Sequence, residues 1–407
     1  MFPRLRFKKF DGDWTAVTLE SLAEVERGKF SVRPRNDPRY FGGEMPFIQT
    51  GDVTGSDVYL KGYTQTLNDD GIRVSKVFPA DTILITIAAN IGDTTITQYS
   101  VACPDSVVAI QPKQDKVNTI FLKNVIDLQK DNLDSQATQN AQKNINLQVL
   151  KPLKLIVPLK GEQTQIASFL SAVDEKISQL TQKLELLSQY KQGMMQKLFS
   201  QQIRFKADDG GEFAKWEDSK LGELTTLITK GTTPSSLGEK YEESGINFIK
   251  IESLSSNGKF LLDKFAYIDE NTHNKLARSK LEHDDILFSI AGALGRVAII
   301  SRDYLPANTN QALAIIRLKD KKITRYIYYF LNSDYVKKII DAESVQLAQA
   351  NFSLGQLANL DVLVPCLEEQ TKIANFLSAI DQKIEVVAQQ IEQAKTWKKG
   401  LLQQMFI

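Results

Sequence analysis

From Ile166 onward the apolar positions advance by alternating steps of four and three: Ile166, Leu170, Val173, Ile177, Leu180, Leu184 and Leu187, then Lys191, Met194 and Leu198. The same stepping returns at Ile373, Leu377, Ile380, Ile384, Val387 and Ile391, then Ala394, Lys398, Leu401 and Met405. Such spacing places one apolar stripe along a helix and is the signature of a coiled-coil seam. At about 1.5 Å per residue, each helix of about 37 residues extends about 55 Å. A lone helix with this stripe needs a partner, and the other copy supplies one. Two copies related by a two-fold within one chain pair most simply as an antiparallel coiled coil. Lys191 and Lys398 occupy equivalent seam positions. Each is either a lysine at a frayed end with its stem lying along the core or a polar position that sets register.

Elsewhere the pattern is that of short strands. Ile83 to Ala88 and Ile286 to Ala291 are β-rich runs, each followed by a small-residue loop and a second β run, which predicts a hairpin in each place. Val157-Pro158 and Val364-Pro365 stand just before each long helix, where a strand ends and a helix begins. Near residue 26 and near residue 229, strand-like segments run into polar loops, ERGKFSVRPR and TKGTTPSS.

These matched elements belong to a duplication. Glu162 to Ile177 (EQTQIASFLSAVDEKI) returns as Glu369 to Ile384 (EQTKIANFLSAIDQKI) with twelve of sixteen positions identical, 207 residues further on. Convergent apolar stripes would not share Gln163/Gln370, Thr164/Thr371, Asp174/Asp381 and Lys176/Lys383 as well. Upstream, Asn144 to Leu159 matches Asn351 to Cys366, and Leu5 to Trp14 resembles Ile203 to Trp216. Between these ends only a framework survives: Phe47-Ile48 against Phe248-Ile249, Asp81 to Gly92 against Asp284 to Gly295, Ala109-Ile110 against Ala314-Ile315. The period is too long for a solenoid and suits a globular domain plus an appendage. We read mixed α/β domains at 1–155 and 203–361, helical spacers at 156–202 and 362–407, and pseudo-two-fold symmetry.

Composition changes this picture little. A chain of 407 residues, 42% hydrophobic and 24% charged, is ordinary for a soluble globular protein of two or more domains. No apolar run reaches membrane-spanning length, and MFPRLRFKKF lacks the apolar core of a signal peptide, so a cytoplasmic location is expected. Cys103 and Cys366 sit at non-equivalent places in the repeat, which argues against a disulfide framework or a zinc site. A net charge of +1 means that any nucleic-acid surface must be local.

One stretch is locally basic. Arg27, Lys29, Arg33, Arg35 and Arg39 fall within thirteen residues and are opposed only by Asp37, a composition suited to phosphate contacts and bidentate guanine recognition. Lys230, Thr232 and Thr233 are the weaker counterpart in the second domain. The hairpin tips contribute Asn90 and Arg296, and Gln49 and Lys250 follow the matched Phe-Ile pairs. Each of these positions also fits a plain solvated loop or strand surface. Catalytic motifs are missing. There is no GxxxxGK[ST] phosphate loop and no Asn-Pro-Pro-aromatic motif, and Pro104-Asp105 has no Glu-x-Lys behind it at nuclease spacing. His273 and His283 lie in one copy only and read as surface residues.

Two divergent domains alternating with near-identical helices that carry EQxxIAxFLSxxDxKI, with Pro3-Arg4-Leu5-Arg6-Phe7…Trp14 at the start, resemble the specificity (S) subunit of type I restriction–modification systems over the whole chain. The resemblance implies that each domain reads one half of a split, asymmetric double-stranded DNA site. It also implies that the paired helices set the gap and dock two methyltransferase (M) subunits, with endonuclease–translocase (R) subunits joining through these. S-adenosylmethionine, ATP and magnesium then belong to the partners, and this chain is not itself catalytic. A helix of about 55 Å matches about 16 base pairs at roughly 3.4 Å per pair, the scale of two half-sites and a gap. The alternative is a coiled-coil scaffold that holds two partners without DNA specificity. The clustered arginines and unlike loop tips favour DNA.

Overall fold

The computed structural model describes residues 3–88, 90–137, 144–255, 257–344 and 351–406. The chain divides into two compact units, Met1–Gln182 with Ala388–Ile407, and Lys183–Val387. Neither long helix forms a unit of its own; each is shared between the two.

In the first unit β1 (Thr15–Thr18) enters the domain antiparallel to β10 (Lys154–Val157), which leaves it. Between them lie two sheets. One is antiparallel, ordered β2-β9-β6-β7, from β2 (Ala23–Arg27), β6 (Ile83–Thr86), β7 (Thr94–Ile96) and β9 (Val107–Pro112). The other is ordered β4-β3-β8-β5, from β3 (Phe41–Phe47), β4 (Gln65–Leu67), β5 (Val77–Phe78) and β8 (Val101–Ala102), with β3 and β8 parallel.

The second unit repeats the plan. β11 (Glu217–Lys220) pairs with β19 (Asp361–Val364). β12 (Thr225–Lys230), β15 (Ile286–Ser289), β16 (Val297–Ile299) and β18 (Leu313–Leu318) form the sheet β12-β18-β15-β16. β13 (Ile246–Ile249), β14 (Ala266–Ile268) and β17 (Ala307–Thr309) form β14-β13-β17, with β13 and β17 parallel.

The β-rich runs are the expected hairpins, β6 with β7 and β15 with β16. They do not alternate polar with apolar because both faces are covered. In β6, Ile83 and Ile85 join the core beneath α1 (Thr119–Asp127), whereas Leu84 joins a second core with Ile48 and Val101. In β15, Ile286 and Phe288 join the core beneath α3 (Thr324–Leu331), whereas Leu287 packs with Ile249 and Ile315. The conserved framework pairs are these strand interiors: Phe47, Ile48, Phe248 and Ile249 are all buried.

The long helices are α2 (Lys160–Phe199) and α4 (Leu367–Met405). In the first unit Leu5 donates to the Gln404 carbonyl while its neighbour Arg6 holds Glu162, and further along Asp174 meets Lys398. Rising numbers on α2 therefore meet falling numbers on α4. The second unit shows the same antiparallel sense, from Lys191 with Asp381 to Arg204, just past α2, with Glu369. The stripe is not purely a helix-to-helix seam, however. Ile166, Leu170 and Val173 pack into the first domain's core with Trp14, Phe121, Leu401 and Phe406. Ile373, Leu377 and Ile380 do the same with Trp216, Tyr326, Met195 and Leu198. Leu180, Val387 and Ile391 are buried, and Ile177, Leu184, Leu187 and Ile384 are partly so.

The shared polar residues of the repeat now have reasons. Glu162 is 2% exposed and receives Arg6 through Nε and Nη2, both at 2.7 Å. Its repeat Glu369 is fully buried and receives Arg204 at 3.1 and 2.7 Å and the Trp216 indole at 2.9 Å. The forked pairing holds each guanidinium charged, its titration raised chiefly by the hydrogen-bonded carboxylate. Gln163 and Gln370 each donate to the carbonyl of the preceding proline, at 2.9 and 2.7 Å. The Arg–Glu pairs fasten the entering segment of each unit to the first turn of a long helix, and the glutamines fasten the end of the departing strand to the same turn.

Candidate DNA interface

The basic loop begins where β2 ends. Gly28 cannot carry a side chain, because a Cβ there would come within 2.3 Å of the Pro104 carbonyl and 2.5 Å of the Cys103 carbonyl. The loop is thereby pressed against the segment that links β8 to β9. Arg27 donates from Nε to the Asp105 carbonyl, and Arg35 places Nη2 3.0 Å from the Asp105 carboxylate. Gln49 arrives at the same segment from β3, since Ile48 donates to the Ala102 carbonyl at 2.8 Å. Its side chain donates to Gln65 at 3.0 Å, and it caps the short helix Thr50–Thr54. Asn90 reaches the far end of that helix, 3.4 Å from the Thr54 hydroxyl. Lys29 is exposed and lends its carbonyl to Ser75 at 2.8 Å. Arg33 is exposed and donates to its neighbour's Val32 carbonyl at 2.9 Å.

The second unit builds the same junction from different residues. A Cβ on Gly231 would meet the Thr309 carbonyl at 1.9 Å, so this loop too is pressed onto the strand link. Thr232 donates its N–H to Thr309 at 3.1 Å, and its hydroxyl accepts from Arg278 at 2.9 Å. Thr233 donates to the Gln311 side chain. Lys250 follows Ile249, whose carbonyl receives the Thr309 hydroxyl at 2.8 Å, and it lies 5.4 Å from the Tyr241 ring centroid. Burial, with Glu252 adding repulsion, raises the Tyr241 hydroxyl above its ordinary range and keeps it neutral. Lys230 is exposed at the end of β12. Residues 102–105 and 309–311 are thus the common floors; Arg27, Arg35, Gln49, Thr232, Thr233 and Lys250 assemble around them, and Lys29 and Lys230 stand next to the pinned glycines Gly28 and Gly231.

Arg296 does a different job. Its guanidinium donates to the carbonyls of Ile251 (3.3 Å) and Leu254, tying the second hairpin tip to the loop after β13. Of the two histidines only His273 departs from the expected surface placement, since the His283 side chain is 40% exposed. His273 is half-buried against Asn308, and His283 buries Nδ1 while Nε2 lies 3.5 Å from Asp284. Sequence reasoning missed Asp105, Gln311 and Arg278, which meet the loops only through folding. Asp105 was legible solely as half of an incomplete nuclease motif. Among the described residues no cluster of His, Cys, Asp and Glu is arranged to hold a metal ion, and no helix is long and apolar enough to cross a membrane. Both cysteines are free.

The family model for the type I restriction modification DNA specificity domain matches this chain twice, at residues 11–189 and 214–396. The chain belongs to that family. The two matches fall on the two copies of the repeat, so each copy is one specificity domain with its helix. Among relatives, the MjaVIII specificity subunit of Methanocaldococcus jannaschii is 25% identical, over 97% of this chain and 94% of its own length. The EcoBI specificity subunit of Escherichia coli is 21% identical, over 96% and 84%. The fold matches the crystal structure of a type I restriction–modification S subunit from M. genitalium with TM-score 0.61 at 18% identity, covering 100% of this chain and 99% of that one. A structure from work on complex assembly and conformational transition of the type I system matches equally well, with TM-score 0.61 at 15% identity over 98% and 99%. As a specificity-family member the chain has a role in DNA sequence recognition, and its two strand-link junctions carry different chemistry in the two copies.

Proposed function

We propose that each specificity domain reads one half of a split, asymmetric double-stranded DNA sequence, with the loops gathered over the 102–105 and 309–311 floors as the reading surfaces. One observation carries this: the two junctions share a glycine-pinned frame yet present arginines on an aspartate in one copy and threonines with a glutamine in the other. One frame with two chemistries suits two unlike half-sites. The long helices then act as the ruler that sets the gap and as the docking surface for two M subunits, with R subunits joining through the M subunits.

The repeat supports two identical partners. Tyr190 and Trp397 are repeat equivalents and are 51% and 53% exposed on their helices. Three residues on, Gly193 and Gly400 are also equivalent, and a Cβ on either would meet nothing within 4 Å. A glycine inside a helix costs about 0.5–1 kcal/mol relative to alanine, so two matched ones beside matched exposed aromatics mark a face kept open for close approach. The chain is non-catalytic in this reading. S-adenosylmethionine, ATP and magnesium are bound by the partners, and the complex works in the cytoplasm. Purified alone, the chain is expected neither to cut nor to methylate DNA; with an M subunit it directs adenine methylation in both half-sites. Methyl transfer by the isolated chain, or methylation by the complex without sequence preference, overturns the proposal.

A further inference from the structure

The pairing of Arg35 with Asp105 is poorly placed to serve stability. Its side chains are 52% and 39% exposed, and pairs of that kind add little to folding free energy. Its mounting is rigid all the same. Asp105 follows the fully buried Cys103 and precedes β9, whose first residue Val107 is fully buried. Gly28 donates to the Val107 carbonyl at 2.9 Å and is packed against Cys103 and Pro104. The same residue thus engages two arginines from a fixed position, Arg27 through its carbonyl and Arg35 through its carboxylate. Among the described residues the Arg35 guanidinium meets that carboxylate through Nη2 alone.

We propose that Asp105 is a positioning and specificity-determining residue for the first half-site. It grips one edge of Arg35 and so holds the guanidinium plane in one orientation. The remaining N–H donors then face outward as a fork that fits the O6 and N7 acceptors of a guanine. Its negative charge also opposes the attraction of the arginine loop to any phosphate, which lowers binding to unspecific DNA. The inference rests on the reading of the domains as DNA-recognition modules.

The test uses the complex of the full chain with its methyltransferase subunit. The target motif is first found by sequencing methylated genomic DNA. Binding is then measured on that duplex, on duplexes with each base pair of either half-site changed singly, and on an unrelated duplex, across a range of salt. Asp105→Asn is expected to reduce discrimination about tenfold at one guanine of the first half-site and to strengthen binding to the unrelated duplex. Discrimination at the other first-half-site positions and at every second-half-site position stays unchanged, which also shows that the first domain of the variant is folded. Arg35→Lys keeps the charge and removes the fork, so it loses the same discrimination, and Asp105→Asn adds no further loss on that background. Uniform weakening across all duplexes would make Arg35 a phosphate contact and overturn the inference, as would unaltered discrimination in Asp105→Asn. If the unaltered complex itself shows no sequence preference, the underlying reading fails too, and the two failures are told apart.

Discussion

Lys191 on α2 and Asp381 on α4 form an ion pair at 2.6 Å, and their repeat equivalents Lys398 and Asp174 form the same pair at 2.6 Å in the other unit. This decides between the two readings of the seam lysines: they are polar positions with fixed partners on the opposing helix. A charge placed within an apolar stripe selects one register, because a slip of the helices would strand it. The copies are not identical in detail. Asp381 also accepts the Tyr329 hydroxyl at 2.7 Å, whereas Asp174 leaves Oδ2 buried without a hydrogen-bond partner.

Breaking the pair in the second unit with Lys191→Ala is expected to lower stability by about 1 kcal/mol, since both groups are only partly buried. Exchanging the charges, Lys191→Asp with Asp381→Lys, should restore most of that loss. Urea denaturation of the two variants against the native chain measures both. A swap no better than the single change would mean that the pair does not set register.

The carboxylate at the head of each long helix offers a sharper contrast. Glu369→Ala leaves the Trp216 indole without its acceptor and the Arg204 guanidinium with only the Phe213 and Ala214 carbonyls, and about 2–3 kcal/mol is expected from the loss of a charged hydrogen-bond partner in a buried site. In the first unit the Trp14 indole nitrogen has no hydrogen-bond partner, so Glu162→Ala strands one donor group fewer and costs less. Thermal unfolding of both variants gives the order.

These contacts also show where the sequence was legible and where it was not. The stripe from Ile166 to Leu198 is a local periodicity, and it emerged as a helix within a few residues of its expected limits. The framework pairs were visible because strand interiors buried on both faces tolerate little change. The Arg6–Glu162 buckle was invisible as a contact, although both of its residues lie in matched motifs, because its partners are 156 residues apart in the chain. For the same reason Asp105 could not be joined to Arg27 and Arg35. Nothing local marks a carboxylate that meets its arginines only when two strand ends are brought together. The early part of each stripe was read as helix-to-helix seam, yet it packs largely on its own domain, because periodicity shows which face is apolar and not what covers it.

The exposed aromatics on the long helices should matter to assembly more than to folding. Tyr190→Ala is expected to leave unfolding nearly unchanged and Trp397→Ala, which loses an edge contact with Phe169 at 6.0 Å, to cost about 1 kcal/mol; in the proposed assembly each releases one M subunit. Native mass spectrometry would then show the complex falling from two M subunits to one in either variant and to none in the double variant. Retention of two M subunits in the double variant would place docking elsewhere.

The cysteines give a pH-dependent signature. Burial pushes the Cys103 thiol up to about 12, while Cys366 is exposed. Iodoacetamide at pH 8 should therefore alkylate Cys366 in the native protein and spare Cys103. Once unfolded, the Cys103 thiol ionises near about 8.5. Between that pH and about 12 the unfolded state has lost a proton that the folded state keeps. Stability contributed by the buried thiol is therefore full below about 8.5 and declines above it, by up to about 1.4 kcal/mol per pH unit. Cys103→Ala should flatten that alkaline decline in denaturation curves.

The duplication itself predicts what half of the chain can do. A fragment ending near Ser200 keeps one specificity domain and all of α2 but loses Ala388–Ile407, which completes the first unit. Among the lost residues Phe406 packs on Trp14 and Phe121 at ring distances of 6.3 and 5.4 Å, beside Leu401 and Met405 in the same core. Each has a repeat equivalent inside the fragment: Phe199 for Phe406, Met194 for Leu401 and Leu198 for Met405. Phe199 already performs this task in the second unit, lying 5.6 Å from Tyr326 and 6.0 Å from Phe330. A second copy of the fragment can therefore supply the missing plug, and Lys191 of one copy can meet Asp174 of the other as Lys398 does in the full chain. Homodimers overwhelmingly adopt closed two-fold symmetry, so both plugs and both ion pairs form together. Light scattering is expected to show a dimer. Paired with M subunits, that dimer should methylate a palindrome built from the first half-site. Phe199→Ala should return it to an unstable monomer, although the same change in the full chain leaves the first unit's own Phe406 in place. A stable monomeric fragment, or methylation of the original asymmetric site by the fragment complex, would show that the two halves are not interchangeable.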